Sequence, residues 1–197
     1  MRRHLPLIAC LLLAAFSSWG QDYAVKPQWW DTVKVTVVKG KDPNDSYKQS
    51  MEKNKAADNV RAEIRILTEI LKGVPADSLK QYSNSLFPRI TAGYKSLDDY
   101  ANMLFWVEYQ LGPKPDAFVM KKIFEEYFRT LSDNDKAFQA LKDFYLRFFK
   151  SDKYDGQVKA YALPYLLDLM LKKNEPAEVL KFLTDNKRVV YGGGGIT

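Results

Sequence analysis

Residues 116–150 read DAFVMKKIFEEYFRTLSDNDKAFQALKDFYLRFFK. Val119, Ile123, Phe124, Tyr127 and Phe128 recur at steps that bring side chains onto one side of an α-helix. Ser132-Asp133-Asn134-Asp135 interrupts them with residue types that cap helix ends, and a second run follows with Phe138, Leu141, Phe144, Tyr145 and Phe148. Two such helices joined by a short polar turn predict an antiparallel hairpin.

The pattern continues in both directions. Upstream, Ala57, Val60, Ile64, Leu67 and Leu71 mark a helix from about Met51 that stops at Gly73-Val74-Pro75. Leu79, Tyr82, Leu86 and Ile90 mark the next, with Pro88 expected to kink or break it and Gly93 to end it. Ser96-Leu97-Asp98-Asp99 has the spacing of a capping box and opens a third helix, closed by Gly112-Pro113. Downstream, the fifth helix breaks at Asp155-Gly156, and the sixth is nearly all apolar from Ala160 to Leu171 despite Pro164. The seventh starts with Asn174 as cap and Pro176 in its first turn, and fades at Asn186.

These breaks fall near residues 73, 93, 112, 132, 153 and 174, an even spacing. The fold expected is all-α: about seven helices of similar length in antiparallel hairpins, forming one helical domain over 51–190. Paired helices would then repeat about every 40 residues, in the range of HEAT, armadillo or TPR-like solenoids. A compact bundle whose single layer sets one helix length accounts for the evenness equally well.

Residues 21–50 differ. From Asp31 to Lys39, and most clearly over Thr32–Val38, apolar and polar residues alternate with a period of two, which predicts one β-strand in a short extended arm. Gly40-Lys41-Asp42-Pro43-Asn44-Asp45 closes it with turn residues. A lone strand must add to a partner's sheet, lie along the helical body, or stay a free arm; polymerisation through it is a further reading.

Residues 1–20 read as a secretory signal peptide: Arg2 and Arg3, an apolar run from Leu5 to Phe16, then Ser18-Trp19-Gly20, with cleavage expected before Gln21. Leu7-Ile8-Ala9-Cys10 has the look of a lipoprotein box, but the apolar run continues past Cys10 and disfavours lipidation there. No later stretch is long and apolar enough to span a bilayer. Residues 191–197 read as a flexible tail, because Gly192-Gly193-Gly194-Gly195 has neither the helix nor the Lys-Ser/Thr pair of a phosphate loop.

Export would remove His4 and Cys10, the one histidine and the one cysteine. The mature chain then has no disulfide, no histidine-dependent triad and no ordinary zinc site. Nor can it form a di-iron bundle or attach haem covalently, and no metal or other cofactor is expected. Calcium loops fail as well: from Asp42, Tyr47 stands where glycine is required and Lys53 where a glutamate should ligate. The chain carries 30 Lys and Arg against 24 Asp and Glu, interleaved and without a basic block, which argues against nucleic acid.

Three groups of residues stand out. Glu108, set in Leu104-Phe105-Trp106-Val107-Glu108-Tyr109, would act as general acid in cleaving a glycan if hydrocarbon enclosed it and raised its pKa. A place on the polar side of its helix, or a lysine partner from a neighbour, is the plainer expectation. Phe144, Tyr145, Phe148 and Phe149 cover more than one side of their helix, so that helix is either central or exposes a binding surface. Trp29 and Trp30 cannot both face the same way, so one is free to meet a ligand if the other anchors the arm. The expectation overall is an exported, non-catalytic helical binding or scaffolding protein of the bacterial periplasm or envelope. Its partner would be another envelope protein or a glycan; a lysozyme-like enzyme using Glu108 is the alternative.

Overall fold

The computed structural model describes residues 29–37, 40, 42–112, 114–173 and 176–186. The chain divides after Thr32. Of the first unit only the 3-10 turn Trp29–Thr32 is described, and the side chains of Trp29 and Trp30 are not. The expected signal segment with Cys10, the cap Asn174 and the Gly-rich tail also lie outside the described residues.

The second unit is all-α. Its helices are α1 (Pro43–Lys53), α2 (Val60–Lys72), a 3-10 helix (Ala76–Tyr82), α3 (Leu86–Ser96), α4 (Tyr100–Tyr109), α5 (Ala117–Leu131), α6 (Asp135–Lys150), α7 (Gly156–Lys172) and α8 (Pro176–Asp185). Capping side chains set most of these starts. Asp42, Asn59, Asp99, Asp116, Asn134 and Asp155 each accept a hydrogen bond from a first-turn backbone N–H. Each such cap contributes about 1 kcal/mol. Among the described residues no helix is long and apolar enough to cross a membrane.

The helical unit begins earlier than the hydrophobic period suggests. Asp42-Pro43, read as turn chemistry, is the N-cap and first residue of α1, and Asp42 Oδ1 accepts from the Asn44 N–H at 2.9 Å. A helix continuous from Met51 is not found. The chain breaks between Lys53 and Val60, with Lys55 in the left-handed region at φ 51° and the Asn59 side chain restarting the helix.

Residues 33–37 form no strand, and side chains rather than a sheet meet the backbone of Lys34 and Thr36. The Asn54 amide bonds both polar groups of Lys34, accepting from its N–H at 3.1 Å and donating to its C=O at 2.9 Å. Ser50 Oγ accepts from the Thr36 N–H at 3.0 Å. Of the expected Thr32–Val38 strand, residues 33–37 are therefore an arm segment laid along α1, with Val33 buried and Val37 exposed, and Val38 lies outside the described residues.

Two other expectations change. The segment from Leu79 to Ile90 does break, but at residues 83–85; Pro88 itself falls in the first turn of α3, where its missing N–H has no intrahelical partner to lose. Gly93 does not end that helix either. A Cβ there would stand 2.9 Å from Ile64 Cγ1, so the glycine lets α3 approach α2 closely.

Consecutive helices pack along α1–α2–α3–α4 and again along α5–α6–α7–α8, while α4 also packs on α6 and α5 on α7. The main core lies around α6. Phe124 of α5 meets Phe144, Tyr145 and Phe148 edge-on, with ring centroids 5.1–6.0 Å apart. Phe144, Tyr145 and Phe148 are wholly buried and Phe149 is 2% exposed. The Tyr145 hydroxyl donates to the Phe124 carbonyl at 2.7 Å, and burial pushes its pKa far up. These four side chains offer a ligand no surface: the two-sided aromatic pattern is that of a central helix.

Candidate functional site

The polar side of α6 is narrow. Asp143, Arg147 and Lys150 follow one another at four- and three-residue steps, opposite the buried aromatics. Near the C-terminal end of α4, Glu108 faces this stripe, and the Nε of Arg147 lies 3.5 Å from Glu108 Oε2. Tyr154, in the turn between α6 and α7, completes the cluster by donating its hydroxyl to Glu108 Oε1 at 2.7 Å.

Tyr154 is held firmly. Its ring packs on Phe148 with centroids 4.5 Å apart, and Asp155, the next residue, caps α7. Burial pushes its pKa well above the usual tyrosine range, and the hydrogen bond and charge of Glu108 add to this against a smaller opposing pull from Arg147. The hydroxyl therefore stays a proton donor to Glu108 at neutral pH.

Two clefts meet at this pair. One, of about 490 Å³, is lined by Ala76, Leu79, Phe105, Glu108, Tyr109, Gly112, Arg147 and Lys153. The other, of about 580 Å³, is lined by Glu108, Asp143, Leu146, Arg147, Lys150 and Ser151. The first is walled by aromatic and aliphatic side chains, and Phe105 is 45% exposed there. Gly112, in the left-handed region at φ 69°, turns the chain at its edge after α4. The second presents both signs of charge. Among the described residues no group of three His, Cys, Asp or Glu side chains could hold a metal ion.

Glu108 is thus neither enclosed by hydrocarbon nor without partners. Its side chain is 23% exposed, with a guanidinium on one oxygen and a tyrosine hydroxyl on the other. That is the partnered setting, supplied by Arg147 rather than by a lysine. Asp143 is a second carboxylate on the wall of the larger cleft; its Oδ1 accepts from the Gln139 side chain at 3.0 Å. Phe144, Tyr145, Phe148 and Phe149 lie behind the site as its packing support, not in it.

Arg147 and Tyr154 escaped the sequence reading. A signal for Arg147 was present: Gln139, Asp143, Arg147 and Lys150 recur at four- and three-residue steps, which puts them on one side of the helix. Nothing local marks Tyr154, whose partner is 46 residues away. Compared with known protein families, curated proteins and solved structures, the chain gives no match.

Proposed function

We propose that this chain is an exported, non-catalytic binding or scaffolding protein of a bacterial periplasm or envelope, and that it holds its ligand in the groove around Glu108 and Arg147. The observation that carries this reading is the pair of clefts sharing one wall, where an ion pair braced by Tyr154 separates an aromatic-lined hollow from a charged one. Aromatic and arginine side chains on a preorganised support are the usual anchors of protein recognition.

A photo-reactive residue at Phe105, in the groove, compared with one at Phe118, exposed on α5, tests this in intact cells. Adducts of one reproducible species from position 105 and none of that species from position 118 are expected. Equal adducts from both, or none from position 105, would remove the groove from the argument.

Glycan hydrolysis by Glu108 is the second reading, favoured by Asp143 on the same cleft wall. It predicts turnover of purified cell wall that Glu108→Gln abolishes. Absence of turnover, or turnover that survives the substitution, eliminates it.

A further inference from the structure

Resting on the binding reading just given, we infer that the groove's ligand is an extended acidic peptide, with a carboxylate seated on Arg147 and a neighbouring apolar side chain against Leu79, Phe105 and Tyr109.

The charge balance of the groove points this way. Arg147 turns its Nε toward Glu108, and neither terminal nitrogen of its guanidinium is hydrogen-bonded among the described residues. The side chain is 48% exposed, so that free edge is open to a ligand. Two parallel N–H donors on a planar group match the two oxygens of a carboxylate. Glu108 and Tyr154 fix the opposite edge and hold the fork in place before a ligand arrives.

Each cleft has one more cation on its wall, Lys150 in the larger and Lys153 in the smaller. Lys150 has no acidic partner among the described residues, and Lys153 has its ammonium over the Tyr154 ring at 5.1 Å. Against these three cations stand Glu108, engaged by Arg147 and Tyr154, and Asp143, engaged by Gln139. The surplus is positive. It lies beside an apolar wall, and that pairing of charge with hydrocarbon fits a peptide of alternating acidic and apolar residues better than a neutral sugar, which would leave the cations unanswered.

The test uses the full chain and two pools of hexapeptides, randomised in apolar residues, with glutamate at two fixed positions in one pool and glutamine in the other. Retention of the glutamate pool on immobilised protein is expected to exceed that of the glutamine pool by about tenfold, the worth of a charge-assisted hydrogen bond. Arg147→Gln should erase the difference, Arg147→Lys should restore part of it, and Lys150→Gln should reduce it. Thermal melting of each variant shows whether it is folded, and Lys150→Gln, a change at an exposed side chain, keeps the test open if Arg147→Gln does not fold.

Equal retention of the two pools, retention of neither, or a preference that survives Arg147→Gln would overturn the acidic-peptide assignment. Those results would leave the position-105 adducts untouched, so failure of the ligand class is distinguishable from failure of the groove. A negatively charged oligosaccharide of uronic acids, run in parallel and bound while the peptides are not, would likewise refute the peptide.

Discussion

Among the described residues, two tyrosine–glutamate–arginine clusters are built from different helices. In one, Tyr154 and Arg147 meet Glu108 between α4, α6 and the following turn. In the other, the Tyr47 hydroxyl of α1 donates to Glu63 Oε1 of α2 at 2.6 Å, and Arg89 Nη1 of α3 lies 3.6 Å from the same oxygen. There the arginine turns a terminal nitrogen into the cluster: Nη1 donates to the Tyr47 hydroxyl at 3.4 Å and the guanidinium lies over the Tyr47 ring at 5.4 Å. The same three residue types fasten three consecutive helices in one place and form the wall between two clefts in the other. What distinguishes them is where the arginine points, not which residues are present.

The largest expected effect comes from the support beneath the groove cluster. Phe148→Ala should cost about 3–5 kcal/mol in denaturant unfolding, because the wholly buried ring backs Tyr154 and packs on Phe124. A loss below about 1 kcal/mol would mean that the groove does not rest on the core as described.

On the Tyr47 side, Gly93→Ala should destabilise by about 1 kcal/mol. The overlap with Ile64 outweighs the gain in helix propensity, since Ile64 is itself buried and its Cγ1 sits close to the helix. A stabilised variant would show that α2 and α3 have room to separate.

Glu63→Gln and Glu108→Gln divide the two clusters by consequence rather than by size. Each should lose about 1 kcal/mol or less, since both carboxylates are partly exposed and screened. Only Glu108→Gln should weaken retention of the glutamate peptides, by freeing the Arg147 fork to wander. Equal effects of both on retention would dissolve the distinction.

The smallest effect is alkaline. Burial, then the hydrogen bond and charge of Glu63, push the Tyr47 pKa up to about 12. A hydroxyl whose folded pKa lies above its unfolded value contributes stability that is complete below the unfolded pKa near 10 and fades as the pH rises toward 12. Tyr47→Phe should flatten part of that decline in melting temperature and lower the melting temperature modestly at neutral pH, where the hydrogen bond to Glu63 is lost. An unaltered alkaline slope would show that Tyr47 does not hold its proton against Glu63.

Much of the fold was legible because it is local. Asn134 caps α6 from within the expected Ser132–Asp135 turn, the expected break at Asp155-Gly156 is where α7 is capped and begins, and the Phe124 to Phe148 spacing identified a hairpin. Pro88 and Gly93 misled for a shared reason: each acts through its place relative to a helix start or a neighbouring helix, and composition does not reveal that place. The arm misled because alternation at Thr32–Val38 signals extended backbone without saying what pairs with it, and side chains of Ser50 and Asn54 took the sheet's part. Of the site, Glu108 was visible as a charge among aromatics. Its partners were not, because Arg147 and Tyr154 reach it only after α4 packs on α6.

The order of packing has a further consequence for how the chain acquires its structure. Substantial helix contacts join helices one or two places apart among the described residues, so no helix has to wait for a distant part of the polypeptide. Loop closures are short, and the search is correspondingly fast. A chain emerging from the ribosome amino end first can settle α1 on α2 and α2 on α3 while α6 is still unmade. The Glu63 cluster then closes early in synthesis, and the Glu108 groove comes into being only when Tyr154 has been added.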